Sequence, residues 1–268
     1  QKGWVPLGYE ALMRAMELND MAVAQNKTAF EWGRHCAVHW DAVQALLAPV
    51  QVVQFHKPEG LETLIDKRVA FLTAYQSASC AKRYRALVQQ VQVAEAALNK
   101  TTLTEAVAKN LFKLMAYKDE YEVARLHTDT TFLQKIEGMF EGDYTLHYHL
   151  APPLIAKTNA KGELQKQKFG PAMLTGFKVL KRFKWLRGTA LDVFGYTHER
   201  RTERALIAQY RSSVEVMLNQ LTANNHALAV EMARIPEQIK GFGHVKARHL
   251  AAARQKWDAL KAQWSAPN

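Results

Sequence analysis

Between Ile207 and Leu221 the apolar residues fall at helical spacing: Ile207, Tyr210, Val214, Met217, Leu218 and Leu221. A helix turns residues so spaced onto one side, and the resulting stripe must be covered by another element. The same pattern recurs along the chain. Tyr9, Leu12, Met13 and Met16 mark one helix, with Pro6 near its start, and Asp20–Arg34 a second short piece. Leu61, Leu64, Ile65, Val69 and Leu72 mark another, and Tyr84, Leu87, Val88, Val91 and Leu98 the next. Phe132, Leu133, Ile136 and Phe140 give a shorter stripe, and so do Leu228, Met232 and Ile235. Leu250, Ala253, Trp257, Leu260 and Trp264 give the last. Thr102 and Glu105 read as a capping box opening one continuous helix to about Leu126. Met173–Leu186 reads as a helix with Gly188 as its C-cap.

Strand signals are few. Residues 143–150 alternate, placing Tyr144, Leu146, Tyr148 and Leu150 on one face. Residues 153–169 read as a hairpin turning around Asn159–Gly162, and Val50–Phe55 is a weaker candidate. The predicted fold is therefore mainly α, a helical domain with a small antiparallel sheet. Pro49–Pro58 is the best linker, which divides the chain into 1–48 and 49–268. The chain opens at Gln1 rather than Met, which fits an excised piece of something longer.

Several function classes have no footing in these residues. No run of 18 apolar residues exists, so no membrane span is expected. No leader pattern opens the chain, so a cytoplasmic protein is expected. The two cysteines, Cys36 and Cys80, are too few for a disulfide framework or an iron–sulfur cluster. The signatures G-x-S-x-G, Walker A, H-E-x-x-H and C-x-x-C are missing. "GFGHVK" puts Lys246 where a dinucleotide fingerprint needs its third glycine, and a helix precedes it rather than a strand. It reads as a hinge before the final helix. His147 and His149 share the polar face of a strand but lack a third ligand, so no metal site is expected.

The net charge of +11 is concentrated at one end: residues 1–50 carry −1, residues 51–150 carry 0 and residues 151–268 carry +12. Within the last segment, Lys178, Lys181, Arg182 and Lys184 fall in one arc of the Met173–Arg187 helix, with Leu174 and Trp185 among them. A solvated basic face is the plain reading. An acidic protein partner comes next, and nucleic acid or an anionic membrane after that.

The Leu103–Leu126 stripe, carried forward, meets Lys118, Glu122 and Arg125. The Ile207 stripe, carried back, meets Glu203 and Glu199, and the Leu250 stripe meets Lys246. Charges on the core side must be paired. One shared network of Lys118, Glu122, Arg125, Glu199, Glu203 and Lys246 is predicted, structural first and a ligand site second. Arg200, Arg204 and Arg211 lie on one line of their helix. They could grip a carboxylate or phosphate, or form an ion-paired flank.

Four blocks carry a family likeness: "LTEAVAKNLFKLMAYKDEYEVARL" (103–126), "FEGDYTLHYHLAPPL" (140–154), "FGYTHERRTERALI" (194–207) and "NNHALAVEMARIPEQIKGFGHVKARHL" (224–250). In this order they resemble the C-terminal region of the long, fused proteobacterial indolepyruvate ferredoxin oxidoreductases. Residues 6–34 look like the last helices of the gamma-type domain that precedes it. The resemblance implies oxidative decarboxylation of an arylpyruvate to its coenzyme A thioester, with ferredoxin as electron acceptor. It implies thiamine diphosphate and 4Fe-4S clusters in the rest of the enzyme. The thiamine-binding fingerprint and cluster cysteines are missing here, so no catalytic residue is carried over. The chain is expected to be a portion inactive alone. Its partners would be the other domains of that oxidoreductase, ferredoxin and a second copy of the enzyme.

Overall fold

The computed structural model describes residues 6–46, 60–151, 165–241 and 243–265. The chain divides into two units, 1–58 and 59–268. Val50–Phe55, the linker Pro49–Pro58 and the turn Asn159–Gly162 lie outside the described residues.

The first unit holds α1 (Tyr9–Asn19), α2 (Val23–Val38) and α3 (Trp40–Leu46). Among its described residues the buried apolar side chains are Met13 and Val43. Ion pairs tie α1 to itself and to α2, through Glu17 to Arg14 at 2.9 Å and Lys27 at 2.6 Å.

The second unit is built around one central helix. It contains α4 (Leu61–Tyr75), α5 (Ala78–Ala96), α6 (Thr102–Met115), α7 (Glu120–His127) and α8 (Thr130–Glu137). Then come β1 (Tyr148–Leu150), β2 (Gln167–Phe169) and α9 (Met173–Leu180), which passes into a 3-10 turn, Lys181–Leu186. Finally α10 (His198–Asn219), α11 (His226–Ala233), a 3-10 turn Ile235–Gln238 and α12 (Gly243–Ser265) complete it. The helix-dominated fold with one small antiparallel sheet is thus as the residue pattern predicts.

Leu103, Ala106, Val107, Ala108, Leu111, Leu114 and Met115 of α6 are all buried, so this helix is covered on nearly every side. α4, α5, α10 and α11 pack on it. Trp257 and Tyr210, edge to face at 6.1 Å between centroids, carry the core out to α12. A helix buried this deeply leaves its first amides without water, so they need internal acceptors. Glu95 at the end of α5 provides them. Its carboxylate accepts from the Leu103 and Thr104 amides and the Thr104 hydroxyl, each at 2.7 Å, and pairs with His226 at 2.7 Å. The expected Thr102–Glu105 capping box does not form: Thr102 is already helical and Thr101 caps without a side-chain bond.

The two strands pair Tyr148 with Phe169 and Leu150 with Gln167. Tyr148, Phe177 and Ala124 form a separate small core joining the sheet, α9 and α7. His147 and His149 are exposed.

The continuous helix expected over 103–126 is two helices. α6 stops at Met115, and Tyr117–Asp119 cross to α7. Asp119 caps the new start, accepting from the Glu122 amide at 2.9 Å. This break redirects everything beyond residue 115.

Candidate functional site

Asp119 does more than cap α7. Both of its oxygens accept from Arg187, from Nε at 2.5 Å and from Nη2 at 2.7 Å, and both side chains are buried. Arg187 Nη1 donates to the Tyr75 carbonyl at 2.6 Å, and its guanidinium lies 3.7 Å from the Tyr75 ring centre. Gln76 donates to the Arg187 carbonyl at 3.0 Å. Burial alone would favour a neutral arginine, but the Asp119 hydrogen bonds outweigh it and hold Arg187 charged. Burial pushes the phenol of Tyr117 up to about 12. The pair therefore pins three segments together: the end of α4, the α6–α7 crossing and the exit of the 3-10 turn.

The next loop, 188–197, is organised by Asp192. Its carboxylate accepts from Gly188 N at 2.8 Å, Gly195 N at 3.1 Å and the Tyr121 hydroxyl at 3.2 Å. Gly188 takes φ +80 just past the turn, as its C-cap reading requires. Arg204 of α10 donates through Nη2 to the Gly195 carbonyl at 2.6 Å, while its Nη1 is buried without a hydrogen bond. Arg200 pairs with Glu120 at 3.5 Å. Burial pushes the Glu120 carboxyl up, against the pull of Arg200.

Within the six-residue network two ion pairs form. Glu122 accepts from Arg125 twice, at 2.8 and 2.7 Å. Glu203 pairs with Lys246, so the hinge before α12, with Gly241 at φ +84, does aim Lys246 inward. Lys118 and Glu199 are exposed. Extending the α6 stripe would put Lys118 inside, but the stripe cannot be continued once the helix ends at Met115. Glu199 sits in the first turn of α10, one turn before Glu203, where the helix has already left the core.

Of the predicted arginine line, Arg200 turns to Glu120, whereas Arg204 and Arg211 line a cleft of about 760 Å³. That cleft lies between the start of α5, the 187–189 turn and α10.

The basic arc is partly redrawn. Lys178 and Arg182 are exposed and Lys181 half-buried, but Lys184 folds back to donate to the Ala74 carbonyl at 2.5 Å. Val179 at 53% and Phe183 at 45% are exposed, although a regular helix would bury them. For Phe183 the cause is the change to 3-10 winding after Leu180, which advances each residue by about 120° instead of 100°; Val179 precedes that change, on α9. Trp185, 58% exposed, joins them. The outcome is a ridge of cations mixed with large apolar side chains.

Arg187, Asp119, Asp192, Glu95 and His226 were not anticipated from the sequence. Asp119 had a legible signal: an Asp three residues before Glu122 is an N-terminal capping pattern. The partners of Arg187 and Glu95 are 68 and 131 residues away, beyond any local pattern.

Among the described residues no group of three or more His, Cys, Asp or Glu is placed to hold a metal ion. Among them, too, no helix is long and apolar enough to cross a membrane. No match was found among curated proteins or among solved structures. A family model described as a family of unknown function, DUF6537, matches residues 61–259, nearly the whole second unit, and the chain belongs to that family.

Proposed function

We propose that this chain is the helical, non-catalytic C-terminal portion of a cytoplasmic, thiamine-diphosphate-dependent indolepyruvate:ferredoxin oxidoreductase, and that it docks the acidic ferredoxin. Arylpyruvate decarboxylation, thiamine diphosphate and the 4Fe-4S clusters then belong to the other domains, which this unit packs against, with a second copy of the enzyme completing the assembly. The likeness of blocks 103–126, 140–154, 194–207 and 224–250 carries the reading. All four contribute to the second unit, whose core joins α6, α10, α11 and α12.

The docking role rests on the ridge. Lys178, Lys181 and Arg182 stand beside exposed Val179, Phe183 and Trp185. Cations around an apolar centre suit an acidic partner: the charges speed encounter, and the aromatic rings supply buried area after contact.

Two measurements test this. Sequencing the gene upstream of the Gln1 codon should reveal, in frame, the rest of a gamma-type domain and a thiamine-binding domain; an upstream reading frame that encodes no thiamine-binding domain would overturn the assignment. Stopped-flow electron transfer from the whole enzyme to ferredoxin should slow about tenfold at low salt in Lys178→Glu/Arg182→Glu, and the difference should vanish at high salt. An unchanged rate at low salt would overturn the docking role and leave the assignment standing.

A further inference from the structure

A cleft beside Arg187 shares Trp185 with that ridge but is otherwise built from residues that reading does not use. Its walls come from the first turns of α5, the 187–189 turn and one face of α10. Arg204, Ala208, Arg211 and Glu215 recur at three- and four-residue spacing, so they share that face, and the small Ala208 leaves space between the two arginines. Arg83 approaches from α5. Arg83, Arg204 and Arg211 make no ion pair among the described residues, whereas Arg187 is neutralised by Asp119. Asp192 lies near Arg204 without an ion pair to it, and its carboxylate, which accepts from two backbone amides and the Tyr121 hydroxyl, offsets only part of the arginine charge. The opposing charge in the lining is Glu215, which is exposed. Cys80, also in the wall, is held neutral because burial pushes its thiol up, so it adds no negative charge.

Three guanidiniums face one cleft and none is held in an ion pair among the described residues, so an anion there gains bidentate hydrogen bonds from them. The first turn of α5 adds its positive dipole end and the Ser79 hydroxyl. About 760 Å³ is within the range of small-molecule sites. Met115, Ile207 and Trp185 give the remaining wall an apolar character that suits the uncharged body of an organic anion.

We propose that this cleft binds a small polyanion, bearing phosphate or carboxylate groups, through Arg83, Arg204 and Arg211.

Calorimetric titration of the 268-residue chain with pyrophosphate and, separately, with citrate, at constant ionic strength, tests it. Saturable one-to-one binding of either probe is expected, and the preferred probe identifies phosphate or carboxylate as the recognised group. Arg83→Met/Arg211→Met should weaken binding about tenfold or more, the loss of one or two charge-assisted contacts, with its unfolding midpoint unchanged. Arg83→Lys/Arg211→Lys should recover part of the affinity. Absence of saturable binding for both probes, or equal binding by the Met variant, would overturn the proposal. Should the Met variant unfold, salt-independent binding by the wild-type chain would overturn it equally, because recognition by arginines must weaken as chloride competes.

Discussion

Arg187 closes on both oxygens of Asp119 while the two side chains are only 2% and 3% exposed. This pair holds the α6–α7 crossing against the end of α4, so its rupture should be felt across the second unit. Asp119→Asn retains a cap for α7 but removes the charge that Arg187 needs. A loss of about 3–5 kcal/mol is expected, because a buried guanidinium is left uncompensated. Asp119→Asn/Arg187→Met should be more stable than Asp119→Asn alone. Urea unfolding at neutral pH measures both. A loss under about 1 kcal/mol, the range of exposed pairs, would show that water reaches the site.

The helices and their core faces could be read from apolar spacing because that spacing reports local geometry. Ile207 to Leu218 lies in one helix, which ends at Asn219 short of Leu221, and Leu250 to Trp264 lies in another. The inward aim of Lys246 could be read for the same reason. Apolar spacing does not extrapolate across a break: Lys118 and Glu122 fall on successive turns only of a continuous helix, and Asp119 restarts the chain between them. Contacts across long separations, such as Arg187 with Asp119 or His226 with Glu95, leave no periodic trace. The cleft was half visible, since Arg204 and Arg211 share a helix face, but Arg83 joins them only through packing.

Glu95 gives the fold an acid limit. Burial pushes its carboxyl up, but hydrogen bonds from Thr104, His226 and Leu103 more than offset this and hold it below the usual carboxylate range. A carboxyl depressed in the folded state adds stability that is complete above its unfolded value, about 4.3, and is lost as pH falls through the folded value. Wild-type stability should therefore decline on acidification below about pH 4. Glu95→Gln should be less stable at neutral pH, with a shallower acid slope. Urea midpoints across pH 3–7 measure the slopes; parallel curves for the two proteins would refute this role.

Lys246 should matter chiefly as the partner of Glu203. Glu203 is buried, and Lys246 is partly exposed on the first turns of α12. Lys246→Met leaves the carboxylate in the core and should cost about 1–3 kcal/mol. Glu203→Gln/Lys246→Met should recover part of that loss, the signature of a coupled pair. Additive losses in the thermal unfolding of the two single variants and the double variant would show that the pair contributes no coupling.

Gly195 sets how closely the 188–197 loop and Arg204 approach. A Cβ added there would lie 2.6 Å from Asp192 Oδ2 and 2.9 Å from Arg204 Nη1. Neither neighbour can simply swing away, since Asp192 accepts three hydrogen bonds and Arg204 is tied to the Gly195 carbonyl. Gly195→Ala should cost about 1–3 kcal/mol by overpacking. The same shift moves Arg204 in the cleft wall, so pyrophosphate affinity should fall together with stability. Denaturant unfolding and calorimetry on the one variant separate the two effects. Unchanged stability would mean that the loop yields without strain, and unchanged affinity in a destabilised variant would mean that Arg83 and Arg211 hold the anion without Arg204.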